Sequence, residues 1–272
     1  MNLRSRIRAW LPPAIVDARR RFLGQSLHFS TVQGGWAQAQ RASTGYSAEL
    51  IVERVAAATR EVLAGRARYE RDSVLFHDAD YPYPIVAALL RAALMNDGCL
   101  TVVDFGGSLG STYRQCRPFL RGVRELRWYV IEQTNFVAVG QNEFTTDELR
   151  FLNSAKDLPP NEAPQVLLLS SVLQYLEHPH DTLQELLRLP SSHVVIDRSP
   201  VADSINDRLC VQHVPKQIYD ASYPCWILSR AALTAQLTQG WRLLCEFPCM
   251  EGAFKTPEGF EFEFRGFVAE KI

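Results

Sequence analysis

The sequence predicts an α/β protein built on a mostly parallel sheet, and three observations carry that prediction. From residue 98 onward, short apolar runs alternate with helical stretches, which is how strands buried on both faces read when helices cover them. A glycine-rich turn, Gly106-Gly107-Ser108-Leu109-Gly110, separates one such run from the next helix, where backbone N–H groups can approach a ligand closely. The chain then closes on two β-rich runs, 241–247 and 260–269, joined by a loop holding Gly252, Pro257 and Gly259, the pattern of an antiparallel pair.

Taken in order, residues 1–97 read as a basic segment and a helical cap, and 98–272 as the main domain with an insertion at about 201–228. Within 1–25, six arginines stand against Asp17 alone, interleaved with Leu3, Ile7, Trp10, Leu11, Ile15 and Phe22. That pattern suits first a solvated helix packing its apolar side on the domain or a partner, with peripheral contact with an anionic membrane surface as the alternative. Gly34-Gly35-Trp36 and Ser43-Thr44-Gly45-Tyr46 punctuate the next stretch, 47–63 has helical spacing, and Pro82-Tyr83-Pro84 precedes an apolar helix over 85–95. Strands follow at 100–104, 128–132, 150–152, 166–170 and 193–197, with helices at about 112–120, 134–139 and 180–187 between them. The stretch 201–221 shows no period and is expected to be irregular, close to the functional face. One more helix is predicted over 229–237.

Composition narrows the function classes. With 272 residues, 47% hydrophobic content and a net charge of -1, the chain can bury a large core and lacks the basic excess on which nucleic-acid binding relies. Its six cysteines form no Cys-x-x-Cys pair, so reduced thiols are expected rather than a disulfide framework or a metal site. His178 and His180 flank Pro179 without a metal-ligand pattern, and no metal is expected. No apolar run long enough to cross a membrane occurs and no secretory cleavage site is visible, so the expected compartment is the cytoplasm.

The spacing of the glycine turn selects among ligands. A dinucleotide fingerprint needs glycine at its first, third and sixth positions, and neither Gly106 nor Gly107 starts one. Asp104, Gly106 and Gly110, with Ser108 in place of a middle glycine, instead resemble the first motif of class I S-adenosylmethionine-dependent methyltransferases. The resemblance implies a Rossmann-like methyltransferase fold with a seven-stranded sheet, helices on both faces and an antiparallel C-terminal strand. It further implies that Asp104, Gly106, Gly107, Ser108 and Gly110 lie at the methionine end of the cofactor. Glu132, at the end of the strand that follows the glycine-loop helix, is positioned to accept both ribose hydroxyls. The run Val166 through Pro179 resembles the fourth-strand motif of small-molecule methyltransferases, which puts Ser170, Ser171 and Gln174 at the pocket. Asn153, Ser154 and Asp157 are weaker candidates for adenine contact. Together with Gly34-Gly35-Trp36, Tyr81-Pro82-Tyr83-Pro84, Leu173-Gln174-Tyr175-Leu176 and Ala221-Ser222-Tyr223-Pro224-Cys225-Trp226, these motifs resemble a bacterial methyltransferase family associated with surface-polysaccharide gene clusters.

Methyl transfer to a hydroxyl needs positioning and a proton acceptor. The candidate bases are His213, Tyr175, His178 and Asp197. Arg208, Gln212 and Lys216 are candidates for acceptor hydroxyls or a phosphate, and Tyr223 and Trp226, with Tyr219, for a wall against a sugar ring. The acceptor expected is a small polar molecule, with the resemblance implying a sugar, a sugar nucleotide or a glycan precursor. Two rivals stay open: a binding or scaffold protein that retains the fold without turnover, and an NAD(P)-dependent oxidoreductase, which the glycine spacing disfavours.

Overall fold

A computed structural model of the chain describes residues 27–44, 48–78, 80–160, 162–214 and 221–272. The basic segment 1–25, Tyr219 and Lys216 lie outside the described residues. The elements, in chain order, are β1 (His28–Thr31), α1 (Trp36–Ala42), α2 (Ala48–Leu63), β2 (Tyr69–Arg71), β3 (Val74–Phe76), α3 (Tyr83–Leu94), β4 (Cys99–Phe105) and α4 (Ser111–Cys116). They continue with β5 (Glu125–Ile131), α5 (Thr134–Val139), β6 (Leu149–Leu152), β7 (Val166–Ser170), α6 (Pro179–Leu186), β8 (His193–Ala202), β9 (Arg208–His213), β10 (Ser222–Ser229), α7 (Arg230–Leu237), β11 (Trp241–Lys255) and β12 (Glu261–Lys271).

Seven of these strands make the expected core sheet in the order β6-β5-β4-β7-β8-β12-β11. β4 to β8 pair in parallel, and only β12 runs against its neighbours. Alternation along each central strand divides the core. Val102, Trp128, Val130 and Leu168 face one cluster with residues of α2, α3, α4 and α5, while Val103, Tyr129, Leu167 and Leu169 face a second with α6 and α7. Helices thus cover both faces, which is why the strands read as continuous apolar runs.

The described part of the stretch expected to be irregular, 201–221, instead holds the end of β8 and all of β9. β9 and β10 form an antiparallel pair, β1 pairs with β9, and these three extend the sheet to ten strands. Four successive β9 residues, 209–212, are buried, so no alternation marks the strand in sequence. The amino-terminal region likewise contributes β1 to the sheet and a separate β2–β3 hairpin, so it is not wholly helical. Where β7 stops at Ser170, β8 runs on and takes β10 as its next neighbour, pairing Val201 with Leu228. The β1-β9-β10 extension therefore rises beyond the carboxyl edge of the core strands. No helix among the described residues is long and apolar enough to cross a membrane.

Candidate functional site

The glycine turn follows β4 and takes the predicted form. Gly106 (φ 73°), Ser108 (φ 55°) and Gly110 (φ 85°) all occupy the left-handed region, which glycine enters without steric cost. At Gly106 a Cβ would also lie 2.4 Å from Val172 Cγ2, and at Gly107 it would meet the Asp104 carboxyl at 2.5 Å. Ser108 fills the place of the missing middle glycine by adopting the same backbone region.

Asp104 is fully buried beneath the turn, where Trp128 Nε1 donates to Oδ2 at 3.0 Å and Oδ1 has no partner. Burial pushes its carboxyl up to about 7, because desolvation disfavours the charged form. Glu132 directly follows β5. The Ser108 N–H donates to Oε1 at 3.3 Å and the Gln133 N–H to Oε2 at 2.8 Å, so the glycine turn and this carboxylate are joined. Burial raises the Glu132 carboxyl above its ordinary value against those two bonds.

Gly106, Ser108 and Glu132 open into one cavity of about 820 Å³ at the carboxyl ends of the core strands, where open parallel sheets hold ligands. Ser171 and Tyr175 from the loop after β7, Asn153 after β6, and Gln212 and Tyr223 from the β9–β10 pair reach the same wall. Tyr175 donates to Gln212 Oε1 at 3.0 Å and meets the Tyr223 ring edge-on with centroids 5.6 Å apart.

Other sequence-predicted residues stand behind this wall or away from it. Asp104, Gly107 and Gly110 shape the turn from beneath. Gln174 is buried and donates to Ser171 Oγ at 3.0 Å and to the Arg198 carbonyl at 3.2 Å, so it holds the loop rather than lining the space. Ser170 turns to Asp197 Oδ2 at 2.8 Å, and both border a separate small polar pocket. Of the four candidate bases, Tyr175 alone reaches the cavity. His178 is exposed at the start of α6, and His213 is bonded to Ser30 Oγ at 3.0 Å. Arg208 packs its guanidinium over the Phe260 ring and Trp226 stacks on Trp36, and neither lines the cavity. Ser154 caps a short helical turn through Lys156 N.

Sequence reasoning missed the opposite wall. The β2–β3 hairpin supplies Arg71, Asp72, Ser73, Val74 and Phe76, and α2 supplies Ile51, Arg54 and Val55. Tyr69-Glu70-Arg71 and Val74-Leu75-Phe76 around Asp72-Ser73 are a legible hairpin signal, but nothing local says what the hairpin covers. Arg198, Met250 and Glu251 complete the wall. Arg198 also has positive φ (54°), and its guanidinium binds Asp72 at 2.8 Å and Glu251 at 3.1 Å. Burial alone would lower the Arg198 pKa, but the two carboxylates outweigh it and raise it.

No family model matches the chain and no curated protein matches it in sequence. Among solved structures it is similar to 1,6-didemethyltoxoflavin-N1-methyltransferase of Burkholderia thailandensis with 1,6-didemethyltoxoflavin and S-adenosylhomocysteine, at 15% identity over 89% of this chain and 94% of that one, TM-score 0.43. It is also similar to magnesium protoporphyrin IX methyltransferase of Synechocystis PCC 6803 with bound S-adenosylmethionine, at 14% identity over 100% and 98% of the two chains, TM-score 0.43. A third is a glycopeptide N-methyltransferase complexed with sinefungin, at 10% identity over 72% and 89%, TM-score 0.47. At these identities and TM-scores the likeness carries no argument about activity, which rests on the site itself.

Proposed function

We propose that the chain is a methyltransferase that binds S-adenosylmethionine at the carboxyl edge of β4 and β5 and methylates oxygen or nitrogen of a small polar acceptor. The observation that carries this reading is that the Gly106 turn and the Glu132 carboxylate open into one cavity. The residues fit the cofactor. The bare Gly106 backbone leaves room that a side chain would fill, Glu132 offers two oxygens to a ribose diol, and Ile131, Phe136 and Asn153 flank it with an apolar slot and an amide for a base. The glycine spacing is wrong for a dinucleotide pyrophosphate.

Bound there, the cofactor supplies an electrophilic methyl on a sulfonium, which passes to the acceptor's lone pair while the methyl–sulfur bonding electrons stay on sulfur. The protein's part is to orient the acceptor and exclude water. Tyr175, Tyr223 and Gln212 offer two ring faces and an amide to that acceptor, which suits the sugar or sugar-linked precursor implied by the sequence resemblance. All six cysteines are free thiols, which fits work in the reducing cytoplasm.

Calorimetric titration with S-adenosylhomocysteine tests the cofactor. Wild type binds it, and Gly106→Arg and Glu132→Ala lose most of that affinity; wild type binding no better than Gly106→Arg refutes the proposal. Incubation with S-adenosylmethionine and a panel of nucleotide sugars, read by mass spectrometry for a gain of one methylene, then tests the acceptor class.

A further inference from the structure

The cavity wall holds three carboxylates, Asp72, Glu132 and Glu251, and their surroundings give them different roles. Glu132 is joined to the glycine turn through Ser108 N–H. Asp72 is 66% exposed on the hairpin and paired with Arg198. Glu251 is 16% exposed; one oxygen lies 3.1 Å from Arg198 Nε, while Oε2 is buried with no hydrogen-bond partner. A buried carboxylate oxygen without a donor is costly; it is closed off from the open space, so a ligand's donor meets it once the side chain turns into the cavity that Glu251 already lines.

Two irregularities of the sheet bring this pair to the wall. In β11, Pro248 pairs with Arg265 and Ala253 with Glu263, so residues 249–252 bulge out opposite Phe264 alone. In β8, Ser199 pairs with Arg265 and Ile196 with Phe267, so Asp197 and Arg198 stand opposite Gly266 alone, with Arg198 in the left-handed region. Bulges re-aim side chains and gather beside active sites. Here two of them, on different strands, turn Arg198 and Glu251 toward the same space. The Arg198 carbonyl accepts from Gln174, which also holds Ser171. Glu251 is thereby tied to the loop that faces the Gly106 turn across Val172.

Resting on the methyltransferase reading, we propose that Glu251 is the catalytic proton acceptor: its carboxylate receives the acceptor's hydroxyl or amine proton as the new bond to the methyl forms, and Arg198 holds it in place. The proton converts the carboxylate to a neutral acid, which returns it to solvent after product leaves. The acceptor is therefore a hydrogen-bond donor at the atom that becomes methylated.

Two experiments on the full chain test this. With an acceptor found in the nucleotide-sugar panel, Glu251→Gln lowers kcat by about a hundredfold or more, the usual effect of losing a general base, with KM within about threefold. The second needs no acceptor: titration with sinefungin, which carries an amine where the cofactor carries its reactive methyl, against S-adenosylhomocysteine, which carries nothing there. A carboxylate facing the transfer point attracts that ammonium, so Glu251→Gln lowers the sinefungin-to-S-adenosylhomocysteine affinity ratio by about tenfold while leaving S-adenosylhomocysteine affinity unchanged. Glu251→Asp, which keeps the charge for Arg198 and withdraws it by one methylene, lowers the ratio by about threefold and serves if Glu251→Gln does not fold. A ratio within about twofold of wild type in Glu251→Gln, or in Glu251→Asp where Glu251→Gln does not fold, overturns the inference. Failure of wild type to bind S-adenosylhomocysteine instead overturns the cofactor reading beneath it.

Discussion

Replacing Gly106 with alanine adds one methyl at the point where backbone, loop and cavity meet, and its cost can be worked from the structure. The residue sits at φ 73°, and a left-handed conformation costs an L-residue about 1–2 kcal/mol. The new Cβ would lie 2.4 Å from Val172 Cγ2, well inside ordinary carbon contact, and forcing a methyl into filled space costs about 1–3 kcal/mol more. Gly106→Ala is therefore expected to lose about 2–5 kcal/mol, or a Tm fall of roughly 4–10 °C for a chain of this size. The two contributions separate in a double-mutant cycle. Val172→Ala alone loses about 1–2 kcal/mol of apolar burial, but in the Gly106→Ala background it also removes the overlap, so the double variant is less destabilised than the sum by about 1–3 kcal/mol. Urea unfolding of the four proteins measures the cycle. A Gly106→Ala loss below about 1 kcal/mol, or strict additivity, refutes the close approach of the glycine turn to the β7 loop.

Three further outcomes follow from the same geometry. Glu132→Ala is expected to weaken S-adenosylhomocysteine binding by about 10- to 100-fold, the worth of charged hydrogen bonds to a diol, with calorimetry as the readout. Asp104, held at about 7 against an ordinary 3.8, keeps its proton more tightly folded than unfolded. Its penalty is absent below about pH 4, grows as the unfolded chain ionises first, and is complete above about pH 7. Wild-type stability relative to Asp104→Asn should thus fall by about 4 kcal/mol between those limits, measured by urea midpoints at each pH; a flat difference contradicts the buried carboxyl. Arg198→Met removes the ion pairs of Arg198 with Glu251 and Asp72, leaving the Glu251 carboxylate uncompensated and freeing the hairpin, so a loss of about 3 kcal/mol is expected, with faster proteolytic cleavage near residues 71–73.

The sequence by itself determined what depends on neighbours along the chain. The glycine turn was legible because its left-handed positions and its strand-to-helix context are local, and Glu132 because a carboxylate at a strand end keeps a fixed place relative to the turn. The seven core strands were legible because burial on both faces concentrates apolar residues into short runs. That same burial hid β9, where residues 209–212 all face packed surroundings and no alternation survives. Only the tertiary structure decided which side chains meet in the cavity. It directed Asp197 to Ser170 and His213 to Ser30, and it raised Arg198 and Glu251 to the wall through two bulges. A bulge shifts which face a residue occupies, and it is fixed by pairing with strands distant in sequence, so the chain around Arg198 carries no sign of it and Gly252 beside Glu251 reads in sequence only as a loop residue.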